Sequence, residues 1–297
     1  MRLAILGNVN FDLVFQVDRL PERHEKMGAT SVTIGGGGAP ANVAWWLAQL
    51  GHEVHYFAAL GDDPLSEVAL ASLSDVGVNT SAVRRVPGIG PTLAVMLANG
   101  SDKRMIGGRA GDKVQAGEAI AALVAETDFS GFRHLHTVAW THPMLFANGR
   151  RADLDGVPVS ADLNGGYSAR IAGDLDLIFS NRDEVVRKTG QEDPGAMIAR
   201  DMTGHRYGAV ITNGAQDVTV YRPEGPVSVV PDPVAVIDRT GAGDGFCAGY
   251  LHGTWAGLPP EEAIRAGLRL AAAAMSGHGC RPVTEVSRAA LEHLRGL

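Results

Sequence analysis

Short apolar runs recur along the chain, and most end at a glycine or a polar residue. Leu3–Leu6 ends at Gly7-Asn8, Val54–Leu60 at Gly61-Asp62-Asp63, and Leu135–Trp140 at Thr141-His142-Pro143. Val157–Leu163 contains Asp162 and ends at Asn164, Leu175–Phe179 ends at Ser180-Asn181, and Ala209–Thr212 ends at Asn213-Gly214. Runs that are apolar throughout suit parallel strands buried on both faces. Helical spacing lies between and after them, at Ala41–Leu50, Leu65–Val76, Glu118–Glu126, Val185–Gly190, Gly245–Ala256, Glu261–Gly277 and Arg288–Leu294. Strands alternating with helices predict an α/β protein with helices on both faces of a parallel sheet. Ligands in such folds sit at the carboxyl ends of the strands. The polar residues that end the runs are therefore site candidates by position.

Two regions break the pattern. Phe11–Val17 and Ala29–Ile34 alternate apolar with polar, as do Thr92–Leu97 and Lys103–Ile106, the last two joined by the turn Asn99-Gly100. Alternation predicts strands with one wet face. They form a small separate sheet, a natural lid beside a ligand crevice. No internal repeat or long linker divides the chain, so one domain over 1–297 is expected, with the lid built from about 10–35 and 90–110.

Composition narrows the function. Of 297 residues 38 are glycine and only 15 proline, with 45% hydrophobic. Without a G-X-Y period this excludes collagen, and the hydrophobic share excludes low-complexity disorder. The net charge of -7 comes with no basic stripe, which argues against nucleic acid as a partner. A small anion remains possible, because backbone N–H groups hold it. Cys247 and Cys280 lack metal-ligand spacing and read as reduced, buried thiols of a cytoplasmic protein. The first residues lack the apolar length of a signal peptide, and no apolar stretch reaches 18 residues, so no membrane partner is expected.

The glycines concentrate in two clusters. In Gly35-Gly36-Gly37-Gly38-Ala39-Pro40-Ala41-Asn42, four residues without side chains let a ligand approach the backbone. Pro40 suits a first helical turn, and Asn42 would point from that turn into the crevice. A flexible turn is the plain structural alternative. Gly36–Ala41 also loosely fits a dinucleotide fingerprint, but that motif should follow the first strand of the sheet, so a nicotinamide oxidoreductase is disfavoured. The second cluster, Asp238-Arg239-Thr240-Gly241-Ala242-Gly243-Asp244-Gly245-Phe246, follows a strand-like stretch at Val234–Ile237 and precedes a helix. Gly241, Ala242 and Gly243 would present N–H groups to an anion at a helix N-terminus. Asp244 suits the helix dipole as a purely structural acid. Equally, it would be a base beside a bound phosphate, placed to take a proton from an attacking hydroxyl.

These two segments resemble the C-terminal and N-terminal signatures of the PfkB (ribokinase-like) carbohydrate kinases, the latter in a fructokinase-like form. Asn10-Phe11-Asp12, Gly61-Asp62-Asp63, Asp162-Leu163-Asn164, Asn181-Arg182-Asp183-Glu184 and Thr212-Asn213-Gly214 follow in family order between or around them, so the similarity spans essentially the whole chain. The resemblance implies a three-layer α/β/α core with a mainly parallel central sheet and a small β-sheet lid, ATP as phosphoryl donor and Mg2+ as helper. It implies Asp244 as catalytic base and Gly241, Ala242 and Gly243 as the anion hole. Asn10, Asp12, Gly37, Gly38 and Asn42 match substrate positions. Asp12 suits a polyol because a carboxylate accepts from two hydroxyls. Asn181, Glu184, Thr212 and Gly214 match the ATP side, with Glu184 serving Mg2+ through water. For Asn181 and Glu184 a capped helix start is the structural alternative. Asp238 and Thr240 match the region where many members bind a monovalent cation such as K+. The implied acceptor is a primary hydroxyl of a hexose or pentose. A nucleoside kinase of the same family and a non-catalytic sugar sensor are the rivals, and a homodimer through the lid is a candidate assembly.

Some positions depart from the family pattern or read plainly. Arg239 stands where a small hydroxyl residue is common, Asn213 where an aliphatic or small one is, and Gly277–Pro282 is a short loop that puts the cation in doubt. His134 and His136 share a strand face and read as packing. Trp140, Thr141 and His142 end a strand where they would wall the sugar pocket. Trp45 and Trp46 are adjacent on a helix, so at least one is core. Arg104 and Arg109 flank the second lid segment and meet either an anion or solvent.

Overall fold

A computed structural model describes residues 1–99, 102–146, 154, 156–202 and 208–297. The first elements are β1 (Arg2–Leu6), β2 (Asn10–Gln16), β3 (Ser31–Gly37), α1 (Ala39–Gln49), β4 (Glu53–Phe57), β5 (Ala59–Leu60), α2 (Pro64–Ser74) and β6 (Arg84–Arg85). Next come β7 (Leu93–Asn99), β8 (Asp102–Gly107), α3 (Ala110–Glu126), β9 (His134–Val138), a 3-10 turn (Ala139–Thr141), α4 (His142–Phe146), β10 (Val159–Asp162), α5 (Ala169–Asp174) and β11 (Leu177–Asn181). The chain continues through α6 (Arg182–Thr189), α7 (Pro194–Asp201), β12 (Gly208–Thr212), β13 (Val218–Tyr221), β14 (Val227–Val229), α8 (Ala242–Trp255), α9 (Pro260–Met275) and α10 (Glu285–Arg295).

The central sheet has eight strands in the order β14-β13-β12-β11-β10-β9-β1-β4. The six from β12 to β4 pair in parallel, and β13 and β14 add an antiparallel edge. In β1, Leu3 and Ile5 join one core while Ala4 and Leu6 join the other. Successive strand side chains point to opposite faces, so an apolar run is what a doubly covered sheet needs. The first core includes α1, α8 and α9 with Trp46 and Tyr56 fully buried; the second includes α3 to α7 with Phe129 and Leu135. The three-layer α/β/α arrangement is thus observed. Strand order reverses between β1 and β9, which opens a crevice at their carboxyl ends.

A four-stranded accessory sheet, β3-β2-β7-β8, stands apart from the central one. Its ranges match the alternating segments, although β3 runs on to Gly37. The β7–β8 pairing closes at Asn99 opposite Asp102; Gly100 of the expected turn lies outside the described residues. Val32, Ile34, Met105 and Ile106 are exposed on this sheet. Among the described residues no helix is long and apolar enough to cross a membrane.

One strand expectation fails. Val234–Ile237 forms no strand and its side chains are exposed at Val234, Val236 and Ile237. Pro231 and Pro233 remove ladder donors from its start. Ile237 N–H donates to Met275 O at the end of α9 instead of to a neighbouring strand. Trp45 and Trp46 both prove to be core, packed edge to face at 4.9 Å. His134 and His136 are buried and both hydrogen-bond Ser160 Oγ, at 2.7 and 2.8 Å. Burial lowers each to a pKa of about 3, so both are neutral. Arg109 is exposed and pairs with Asp112 at 2.8 Å, and Arg104 and Arg239 are also exposed.

Candidate active site

The crevice is walled by two helix N-termini. Pro40 lies in the first turn of α1, whose cap, Gly38, has φ +92°. Helix α8 is capped in the same way by a glycine of the second cluster, Gly241, with φ +81°. Both φ values lie in the region that glycine enters without steric cost. The two helices bring Asn42 and Asp244 together: Asn42 Nδ2 donates to Asp244 Oδ2 at 2.6 Å. Burial is the main reason that Asp244 is raised to about 7; Asp162 and Asp12 add to it, while Asn42 and Arg281 oppose it. A carboxylate so placed is poised near neutrality, where a general base is most useful.

The expected substrate positions cluster around this pair. Asn10 and Asp12 lie on β2, opposite Gly37 and Gly35 of β3. Asp12 is buried at 8% exposure. A Cβ at Gly37 would collide with the Asp12 carboxylate, and one at Gly38 would come within 2.7 Å of Asn8 O. Glycine is thus needed where the backbone passes an acid. Asn10 Oδ1 accepts from Asn8 Nδ2 at 2.7 Å, and Asn8 Oδ1 accepts from Trp140 Nε1 at 3.2 Å. Trp140, just after β9, is therefore tied through Asn8 to Asn10. Thr141 and His142 are buried instead, His142 against Asp174 at 2.9 Å.

The other predicted residues line the next strand ends. Asn181 and Thr212 are register partners at the ends of β11 and β12. Asn181 caps α6, accepting from Asp183 N–H at 3.0 Å, so the expected structural role is present. Gly214 sits in the β12–β13 turn at φ +60°, and Asn213 closes that turn through Asp217 at 2.8 Å. Glu184, in the first turn of α6, faces Asp162 electrostatically; burial and this neighbour push Asp162 up to about 6. Asp162 at the end of β10 and Glu184 in the first turn of α6 are hard oxygen acids, the donor type that Mg2+ takes in small number beside water. Asp238 accepts from Thr240 N–H at 2.9 Å, Thr240 Oγ1 at 2.7 Å and Gly279 N–H at 3.0 Å. It ties the turn before α8 to the 277–282 loop.

The glycines of the second cluster stand in different surroundings. Of the three anion-hole candidates, Ala242 turns its N–H back to Arg239 O at 3.3 Å. A Cβ at Gly241 would lie 2.8 Å from Cys280 Cα, whereas one at Gly243 would meet nothing within 4 Å. Gly245 and Gly249 do not face the crevice at all. A Cβ at Gly245 would lie 2.7 Å from Leu270 O, and one at Gly249 would strike Ala266 O. They let α8 and α9 pack backbone to backbone.

Two residues, Cys280 and Arg281, had no site role in the sequence reading, and Asp162 had only its place near a strand end. Cys280 is buried in the site, with Sγ 3.9 Å from Asp12 Oδ2. Burial and the acids Asp244 and Asp12 push its thiol up to about 12, so it stays protonated. Arg281 donates from Nε to Asn42 Oδ1 at 2.8 Å and from Nη1 to Ser72 Oγ at 2.9 Å. Asp162 appears in the sequence only as part of a motif, and the fold sets it between Asp244 and Glu184. No sequence signal marks Arg281 beyond the altered 277–282 loop.

Comparison with known proteins gives the family and the fold. A sequence profile for the pfkB family carbohydrate kinases matches residues 1–286. An ATP-dependent ribose-1-phosphate kinase of Halopiger xanaduensis is 28% identical over 86% of this chain and 85% of its own length. A fructoselysine 6-kinase of Escherichia coli is 28% identical over 82% of this chain and 90% of its own. The solved structure of Arabidopsis thaliana ribokinase with ribose and ATP superposes with a TM-score of 0.74 at 21% identity, covering 99% of this chain and 98% of that one, a likeness of fold.

Proposed function

This chain belongs to the pfkB family of carbohydrate kinases and is an ATP-dependent kinase, and on that premise we propose that it phosphorylates a primary hydroxyl of a hexose or pentose with Asp244 as general base. The observation that carries the reading is the Asn42–Asp244 contact. It sets a carboxyl raised to about 7 between the residues expected to hold sugar and those expected to hold ATP.

In this reading Asn10, Asp12, Asn42 and the bare backbone of Gly37 and Gly38 hold the sugar. The hydroxyl oxygen forms a bond to the γ-phosphorus as the bond to ADP breaks, and its proton passes to an Asp244 carboxylate oxygen. The N–H groups around Gly243 face the transferring phosphoryl, and the dipole of α8 favours its charge. Asn181, Glu184, Thr212 and Gly214 serve ATP. Glu184 and Asp162 would hold Mg2+, largely through water, and the ion neutralises phosphate charge when bound. The accessory sheet acts as a lid that excludes water and so limits ATP hydrolysis. A monovalent cation at Asp238 and Thr240 would stiffen the turn that carries the anion hole.

The test is ATP consumption over a panel of hexoses, pentoses and nucleosides, with and without K+. Turnover on a free sugar supports the reading. Turnover on nucleosides alone replaces it with a nucleoside kinase, and binding of sugar without ATP consumption replaces it with a sensor.

A further inference from the structure

We infer that Arg281 is a positioning residue: it fixes the orientation of the Asn42 side-chain amide, so that Asn42 meets both Asp244 and the acceptor hydroxyl only as a donor. An amide has one oxygen and one NH2, and its orientation is set by its partners. Arginine has no acceptor, and its Nε–H lies 2.8 Å from Asn42 Oδ1. Asp244 Oδ2 lies 2.6 Å from Asn42 Nδ2. A guanidinium on one side and a carboxylate on the other leave a single orientation. Reversing the amide would set N–H against N–H and oxygen against oxygen.

The guanidinium is itself held. Its Nη1 donates to Ser72 Oγ on α2 at 2.9 Å, and Ser72 Oγ donates to Ala69 O at 2.6 Å. A Cβ at Gly36 would collide with Ser72 Oγ and come within 3.0 Å of Arg281 Nη1, so this glycine makes room for the arrangement. Thus a line of contacts runs from α2 through the 277–282 loop and α1 to the N-terminus of α8. Its consequence is specific. With its oxygen turned to Arg281, Asn42 presents its NH2 to the site: one N–H meets Asp244, and the other, which lies against the Cys280 thiol, is the one a ligand hydroxyl can take. A hydroxyl that accepts from it has its own proton left to give, and Asp244 is the adjacent acceptor.

Several other groups act on Asp244. Asp12 on β2 and Asp162 on β10 repel its negative charge, and Arg281 attracts it; Cys247 on its own helix, Cys280 on the loop and Tyr56 on β4 are near and neutral. A variant must therefore separate orientation from charge. Arg281→Lys keeps the charge but has no planar fork to bridge Asn42 and Ser72.

The inference rests on Asp244 as base, and its test has a readout free of that premise. In the free protein, the Asp244 carboxyl is titrated by NMR in wild type, Arg281→Ala, Arg281→Lys, Asn42→Ala and the Arg281→Ala/Asn42→Ala double variant. Turnover is measured with ATP and the fastest of D-ribose, D-fructose and adenosine. Arg281→Ala should raise the Asp244 midpoint by about 1, as expected on losing a nearby opposite charge. Arg281→Lys should restore the charge but not the oriented Asn42 donor, so its midpoint should stay above wild type and misorientation should lower kcat by up to ~10²-fold. In the Asn42→Ala background, removing Arg281 should cost kcat little more, because the two act in series. A wild-type kcat in Arg281→Lys, or losses that multiply fully in the double variant, overturns the inference. Should Arg281→Ala fail to fold, the lysine variant alone decides by the same kcat criterion. An active Asp244→Asn enzyme would instead overturn the base assignment and leave the amide orientation to the titration.

Discussion

At Gly37 a side chain would run into the carboxylate of Asp12; at Gly243, across the same crevice, it would meet nothing within 4 Å. The first cluster uses glycine to let protein groups crowd together. Asp12 lies against Gly37, Ser72 against Gly36, and Asn8 against Gly38. The second uses it in three ways within nine residues. Gly241 turns the chain at φ +81° against Cys280, Gly243 leaves an open approach, and Gly245 and Gly249 bring α9 close. Similar composition therefore hides different physics. What matters at each glycine is what stands where its Cβ would be.

Asp244 sits between the two clusters, and removing its charge should have the largest effect. Asp244→Asn should lower kcat at least ~10²-fold, the contribution expected of one general base, with ATP affinity nearly unchanged. Near-normal turnover would sink the assignment. The same variant should be more stable above neutrality. The folded protein holds the Asp244 proton up to a pKa of about 7, while the unfolded chain loses it at about 4. The proton-linked stability is thus full below pH 4 and is lost as pH rises toward 7. An asparagine has no such loss. Thermal melts of the two proteins should diverge from pH 4 to 7, the variant melting higher; parallel curves would show that Asp244 is not raised. Turnover of the wild type should fall as pH drops below about 7 in kcat/KM, because the base is then protonated.

Next in size is the substrate side. Asp12→Ala should raise the sugar KM at least ~10-fold, since a hydrogen bond to a charged group is worth about 1.5–3 kcal/mol, and should leave the ATP KM alone. Equal changes in both would make Asp12 a structural partner of Gly37 rather than a sugar ligand. Gly249→Ala tests the packing use of the second cluster. Its Cβ would strike Ala266 O, an overpacking worth about 1–3 kcal/mol. The melting temperature should fall while both KM values hold. An unchanged melting temperature would show that the α8–α9 contact does not need a glycine at 249.

The central sheet was legible because a strand buried on both faces is apolar along its length, as Leu3–Leu6 and Ala209–Thr212 are. The same pattern misled at Val234–Ile237, where the prolines upstream were the signal against a strand. The candidate site was legible where its residues lie in one short segment, as at Asp238–Asp244, the turn and first residues of α8. It was not legible where partners are distant in the chain. Arg281 and Asn42 are 239 positions apart, and only the fold sets them at 2.8 Å. The helix-packing role of Gly245 and Gly249 had a signal, since Gly245, Gly249 and Gly253 recur every four residues on one helix face.

The smallest effect offers the sharpest contrast. Gly241→Ala is a poor probe of the anion hole, because it strains a positive φ and presses on Cys280 before any phosphate arrives. Gly243→Ala has neither fault. It lies in the first turn of α8, where a Cβ has open space, and alanine is favoured over glycine in a helix by up to ~1 kcal/mol. The variant should melt at or slightly above the wild-type temperature. Its kcat should still fall by about 10-fold, less than the 10²–10³-fold that losing a whole anion-hole donor costs, because the N–H remains but the approach narrows. Higher stability with lower turnover is what an approach kept clear for a phosphoryl group predicts. Full turnover in the stabilised variant would mean that the open space beside Gly243 is not where the phosphoryl passes.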